Sequence, residues 1–464
     1  MACLGILLAR APLSLAGLLV AGTFSGLLLL RWPTLGLYLL ALTIPFGSLR
    51  QIRLGPANVG LSEAIVLAIM GAWLLHLLAY RRVGDALRRG KSPLTWALLA
   101  YLGCMALSLL SASQLSAAAK ELAKWLALLF LYLFVRAELP RRQMPWLAAA
   151  LLLGGALQSL LGIYQFLYRV GPAGFMLFGR YMRAYGSFMQ PNPFAGYLGL
   201  LLPLSYAFVL VPPPFLKGYW RTLGRGAAAI AGLLMLTAIL MSWSRGALVG
   251  LVGGGMLVLL ALGRRYMVAI AAILLIAALL LPSVLSLLPA GTLLRATDVV
   301  GYVGRDLSLI EITDDNFGVI QRVAHWQAAW QMFTQRPWLG VGVGQFAIVY
   351  PEVALPRWQE PLGHAHNAYL HALAEGGLIG LAGYMGVAIA ALWSTWRAAT
   401  TRRGTRRALA LGALGMLGHL LAHGMFDLLF VHSLYLLVGI CLGMALSAET
   451  WTAEPLDLAS GSAS

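Results

Sequence analysis

The chain has 464 residues, 60% of them hydrophobic and only 11% charged, with a mean hydropathy of +0.81. Soluble globular proteins use nearer about 45–50% apolar residues, so a soluble enzyme is excluded and an all-α polytopic membrane protein is expected. The net charge of +17 does not mark a nucleic-acid partner, because it is split into clusters between apolar runs.

Apolar runs near 12–30, 35–46, 61–79, 93–110, 119–135 and 144–167 open the chain. Runs near 193–212, 226–243, 246–262, 266–288, 367–395, 408–424 and 433–447 complete it. Each long run approaches the roughly 20 residues a spanning helix needs. Pro33 and Pro45 bound 35–46, which is too short to span unaided, so about 12 spans are expected, give or take one. The run after Arg10 reads as a first helix rather than a cleaved signal, since many spans follow it. One helical bundle over 1–464 is the default domain organisation.

The basic clusters set an expected orientation. They are Arg81, Arg82, Arg88, Arg89 and Lys91; Arg136, Arg141 and Arg142; Lys217, Arg221 and Arg225; Arg264 and Arg265; and Arg397, Arg402, Arg403, Arg406 and Arg407. Placed inside by the positive-inside rule, they put the loops 168–192, 289–365 and 425–432, and the junction 243–246, outside. The small, polar tail 449–464 falls inside and is expected to be disordered. The loop 289–365 collects Asp298, Asp306, Glu311, Asp314, Asp315, Glu352 and Glu360. A polar loop of that length usually carries function. Within it, 319–336 spaces Val323, Trp326, Trp330 and Phe333 at helical intervals, which predicts an amphipathic helix on the membrane surface. Pro337 ends it, and GVGVGQF follows as a turn-rich link.

Four stretches carry residue types that lipid contact alone does not ask for. RAYGSFMQPNPFAGYL, 183–198, brings Arg183, Tyr185 and Asn192 to the outer start of a span; Pro-Asn-Pro reads as a rigid turn, and structure alone explains the stretch equally well. SWSRGALVG, 242–250, sets Arg245 at a helix N-terminus, where backbone N–H groups and a guanidinium suit an anion. A headgroup-seeking interfacial arginine fits the same position. Arg322 on the 319–336 helix fits a ligand contact or a solvated face. GHAHNAYLHALAEGGLIG, 363–380, holds His366 at the mouth of a helix opening at about Asn367, with Gly376, Gly377 and Gly380 as a close-packing face. A helix N-terminus disfavours the imidazolium, so His366 fits a neutral general base. It also fits a capping or interfacial histidine without chemistry.

Several signatures are absent from the sequence. It has no P-loop, no HExxH and no DxD; Asp314-Asp315 is adjacent rather than spaced, and Cys3, Cys104 and Cys441 have no ligand spacing. No metal and no cofactor are therefore expected. Glu63, Glu375 and Asp427 sit at or near span ends, whereas an ion-coupled transporter needs ionisable groups at mid-depth.

Taken in order, these stretches, with QRVAHWQAAWQMFTQRPWLGVGVGQF and HN-x9-GxxG, resemble the bacterial O-antigen ligase and polymerase superfamily over about 180–385. The first 150 residues add only hydropathy and topology. The resemblance implies a GT-C-type membrane glycosyltransferase with a large outer loop containing short amphipathic helices. It implies a monomer in the bacterial inner membrane with its active site on the periplasmic side. A glycan would pass from an undecaprenyl-pyrophosphate donor to the hydroxyl of a glycan or lipid-linked acceptor, with inversion and without a metal. The resemblance maps the base onto His366 and two diphosphate-contacting arginines onto Arg245 and Arg322; His364 and His371 flank the catalytic slot. Arg183, Tyr185, Asn192 and Asn367 are the accompanying candidates for donor or acceptor binding. The competing class is a small-solute transporter such as a bicarbonate-uptake protein, which has no need of a histidine aligned with two arginines.

Overall fold

The structure is a computed structural model that describes residues 22, 23, 26–47, 51–54, 57–177, 179–263, 265, 266, 268, 301, 302, 304–313 and 316–447. The expectations about the tail 449–464, Asp298, Asp314, Asp315, and most of the runs 12–30 and 266–288 fall outside these residues. The helices follow the apolar runs. They are α1 (Leu35–Thr43), α2 (Leu61–Ala79), α3 (Val83–Gly90), α4 (Pro93–Ser108), α5 (Leu115–Glu138), α6 (Met144–Tyr168) and α7 (Pro191–Leu210). Then come α8 (Gly218–Ser242), α9 (Arg245–Leu262), α10 (Phe317–Gln335), α11 (Phe346–Val353), α12 (Ala368–Thr401), α13 (Gly404–His423) and α14 (Leu434–Ala445). Two short antiparallel ribbons complete the elements: Gln51–Leu54 with Ala57–Gly60, and Met176–Leu177 with Tyr181–Met182.

Among the described residues, seven helices are long and apolar enough to cross a membrane, short of the expected 12. They are α2, α4 with the turn that extends it, α6, α7, α8, α9 and α12. Helices α5 and α13 match them in length, but Lys120, Glu121 and Lys124 charge one end of α5, and Arg406 and Arg407 one end of α13. Helices α1 and α14 are too short to span alone. The chain is an all-α, multi-pass membrane protein.

Helices α7 and α13 form the centre. Both are apolar and buried nearly all round, the pattern of a helix enclosed by other helices. Pro191 and Pro193, expected in a rigid turn, lie instead in the first helical turn of α7. Proline's missing N–H costs nothing there and its φ is already helical. Helix α9 packs on α13 along a seam of small residues: a Cβ on Gly254 would lie 2.5 Å from the Gly415 carbonyl, and one on Gly253 3.0 Å from that of Gly418. In lipid, helices associate through such close van der Waals contact rather than hydrophobic burial.

The segment before α12 carries its own small cores. Helix α10 forms as expected, but it buries Ile320, Val323, Ala324, Ala328 and Met332, while Trp330 is 53% exposed. Its inner face packs against Trp358 on one side and Phe346, Tyr350 and Ala374 on the other. The helix docks on the protein through an alanine-rich face that approaches its neighbours closely, and the bulky tryptophan is left outside.

Helix α12 is not continuous. At Gly377 (φ 60°, ψ −159°) the helical path breaks, a conformation only glycine adopts without strain. Backbone N–H groups of Val341 and Gly342 donate to the carbonyls of Ala374 and Glu375, and those of Leu378 and Ile379 donate to Pro337 and Trp338. The Glu375 carboxylate accepts from Gly344 and Phe346 N–H. The glycine face predicted to seat a neighbouring helix therefore seats the PWLGVGVGQF loop, and at Gly377 rather than Gly376.

Candidate active site

The turn 424–433 between α13 and α14 is where the candidate residues meet. Asn367 caps α12: its Oδ1 accepts from Tyr369 and Leu370 N–H, and its Nδ2 donates to the Met425 carbonyl at 3.0 Å. Ala368 N–H donates to the Gly424 carbonyl at 2.7 Å. Arg322, on α10, donates through Nε to the Phe426 carbonyl at 3.3 Å and through Nη1 to Gly318 at 2.7 Å. Arg245 is the first residue of α9, half-buried. A Cβ on the next residue, Gly246, would lie 2.6 Å from His423 Cδ2 and 3.3 Å from Phe426 Cβ. Arg245, Arg322 and His366 are thus brought to one short stretch, His423 to Asp427, from two helices and the loop that enters a third.

The chemistry centres on a pair the sequence did not join. His366 Nδ1 lies 3.2 Å from Asp427 Oδ1, although 61 residues separate them. An ionised carboxylate only accepts, so Nδ1 carries the proton and Nε2 presents its lone pair. Nε2 is buried with no hydrogen-bond partner among the described residues. The backbone is shaped for this: His366 has φ +51°, and its carbonyl accepts from Trp326 Nε1 at 3.4 Å. Burial would raise the Asp427 pKa, but the hydrogen bond from His366 and the nearby Arg322 guanidinium help hold the carboxyl well below its ordinary range. The ring is thus held by the Asp427 carboxylate at 3.2 Å, in addition to its place at the mouth of α12.

Two further histidines frame the pair. His364 Nδ1 accepts from the His366 backbone N–H at 3.1 Å and lies 4.0 Å from Asp427 Oδ1. Burial, and then the neighbouring His366 charge, lower its pKa from 6.5 to about 3, so it stays neutral. His325 on α10 donates from Nδ1 to the Gln321 carbonyl at 2.7 Å and meets the His366 ring edge to face at 5.5 Å. Its pKa is lowered, burial being the largest cause. Donor atoms of His364, His366 and Asp427 lie within 4.8 Å of one another, a set of the type that binds zinc. Here His364 Nδ1 already accepts a backbone N–H, and Asp427 Oδ1 already accepts Leu428 N–H at 2.9 Å beside His366.

The remaining candidates divide. Arg183 donates to the Ser242 carbonyl at 2.8 Å and to Asn192 Oδ1 at 3.0 Å, so this pair braces the tight α8–α9 turn that delivers Arg245. Tyr185 is buried against Phe175 and the backbone of Gly171. Asp427, His364 and His325 were missed as site residues. The signal for Asp427 was there, a carboxylate beside an apolar run, but nothing in one dimension pairs it with His366.

No curated protein matches the chain. Residues 230–385, about a third of it, match the family model described as O-Antigen ligase. The matched part holds Arg245, Arg322 and His366; Asp427 lies beyond it. That match supports the general reading of a membrane glycosyltransferase of O-antigen ligase type. The match over 230–385, which holds Arg245, Arg322 and His366, supports the O-antigen ligase and polymerase superfamily that the sequence motifs resemble.

Proposed function

We propose that the protein is a metal-independent, inverting glycosyltransferase of the GT-C type. It moves a glycan from an undecaprenyl-pyrophosphate donor to an acceptor hydroxyl on the periplasmic side of the inner membrane. The observation that carries this reading is the His366–Asp427 pair at 3.2 Å, with Nε2 uncommitted and Arg322 anchored one residue before Asp427.

In the proposed step, His366 Nε2 takes the acceptor hydroxyl's proton as its oxygen attacks the anomeric carbon. The bond from that carbon to the phosphate oxygen breaks, and the electron pair leaves with the diphosphate. Asp427 stabilises the imidazolium that forms. Arg245 and Arg322, with the α9 N-terminus, bind the charge growing on the leaving group. A single displacement from the opposite face inverts the anomeric configuration.

Helix direction supports the outward placement. Helices α8, α9 and α12 have the site at one end, and Lys217, Arg265 and Arg402 at the other, the arrangement that the positive-inside rule expects. The inserted 289–365 loop then lies outside. Asn367 and the Arg183–Asn192 pair hold the turns that present the catalytic groups.

The test is His366→Ala in purified protein given a defined lipid-pyrophosphate glycan and candidate acceptors. Transfer is expected to fall by about 10²–10⁴-fold, the usual worth of a positioned base, while membrane insertion and thermal stability persist. Full transfer by the variant would remove the base and the mechanism with it.

A further inference from the structure

A cavity adjoins the Asp427 turn at the end away from Arg322. Ala368, two residues past His366, and Leu428, next to Asp427, form part of its wall. Part of the wall is aromatic. Tyr101 of α4, Trp125 of α5 and Tyr384 of α12 meet edge to face, with centroids 4.6, 6.1 and 6.2 Å apart.

Polar groups enter this space that packing does not require. His371 Nδ1 is buried with no hydrogen-bond partner among the described residues, and its Nε2 lies 3.6 Å from Glu375 Oε2. Glu121 is held by Lys124, and Glu375 by the Gly344 and Phe346 N–H groups. Both carboxylates are therefore fixed and keep lone pairs to spare. Tyr101 and Tyr384 line the same cavity as Glu121 and Glu375.

We infer that this cavity is the acceptor subsite and that it takes the edge of a sugar ring. An acyl chain has no use for two carboxylates and an imidazole, and a metal ion none for three aromatic rings. A sugar uses both: its C–H groups rest on the aromatic wall while its hydroxyls donate to Glu121 and Glu375 and pair with His371 and the phenols. The enclosed part has room for only a few waters, so the ring seats from the mouth and only its edge enters. This assignment rests on the glycan-transfer reading. It sets the attacking hydroxyl on one flank of the His366–Asp427 pair and the diphosphate on the other, as a displacement with inversion demands.

The full-length protein in nanodiscs, without donor, is titrated with methyl glycosides of hexoses, 6-deoxyhexoses and N-acetylhexosamines, and binding is read by saturation-transfer NMR. At least one class is expected to bind. Tyr384→Phe, which removes one hydroxyl without changing the packing, and His371→Gln should each weaken it roughly tenfold, and Arg322→Ala should not. In transfer assays the first two variants should raise acceptor KM and leave donor KM unchanged. The subsite is overturned if no glycoside binds, if binding ignores both cavity variants, or if donor KM moves with acceptor KM. Glycosides that bind the cavity of a protein with no transferase activity would leave the subsite standing and remove the proposed reaction instead.

Discussion

The protein holds two close pairs of histidines, and their surroundings give them opposite characters. His364 and His366 sit at the mouth of α12 against a carboxylate. His419 and His423 sit inside the bundle on α13, bonded to each other at 3.3 Å. A Cβ on Gly199 would lie 1.9 Å from the His419 ring, and one on Gly250 2.6 Å; the inner pair fills the space those glycines leave. Identical side chains thus supply the proposed base where an anion fixes the tautomer, and fill volume where glycines make room.

The comparison breaks most sharply at Asp427. Asp427→Asn keeps the shape but replaces the anion that orients His366 and stabilises its charged form. Initial-rate measurements should show a loss of about 10²–10⁴-fold, near that of His366→Ala. A variant with full rate would show that the outer pair needs no carboxylate. Arg322→Ala comes next. Removing one preorganised donor from a developing anion costs about 10²–10³-fold, and Arg322→Lys should recover little, because a lysine cannot offer the planar fork. Single-turnover rates with saturating donor would check this.

The inner pair is probed through its glycines. Gly250→Ala drives a methyl into the His419 ring, and overpacking of this kind costs about 1–3 kcal/mol. Thermal unfolding should register the loss, while turnover per folded molecule holds. A stable variant with impaired turnover would instead give the inner pair a part in the chemistry.

The smallest effect is on pH. The His364 pKa is lowered in the folded state, by burial first and the His366 charge second, from 6.5 to about 3. A lowered folded-state value means that the unfolded chain binds the proton more readily. Stability from this group is full above about 6.5 and declines as pH falls toward 3. Asp427, also lowered, adds a loss of the same sign in more acidic solution. His364→Gln should flatten the melting-temperature profile between pH 6.5 and 4; an unchanged slope would mean that His364 is solvated.

How much was legible differs along the chain. His366, Arg322 and Arg245 could be read because each stands beside a local marker: a helix cap, an amphipathic repeat, a tight interhelical turn. The face on which α10 docks could not. Val323 of the expected face is buried, but Ile320, Ala324, Ala328, Ala329 and Met332 complete the contact rather than Trp326, Trp330 and Phe333, and the small residues among them score weakly in any periodicity. Nor could the break in α12 be placed. Gly376, Gly377 and Gly380 are equal candidates until the loop at Trp338–Gly342 selects Gly377.

The sequence by itself determined the membrane class, where most helices run, and that His366 and Arg245 stand at helix mouths. These depend on composition, length and neighbours within a turn or two, which one dimension records. The tertiary structure alone decided that Asp427 meets His366, that Arg245, Arg322 and His366 gather at one turn, and that Tyr101, Glu121 and His371 share a cavity. Those pairings join residues on helices far apart in sequence, and their proximity follows from how the whole bundle packs.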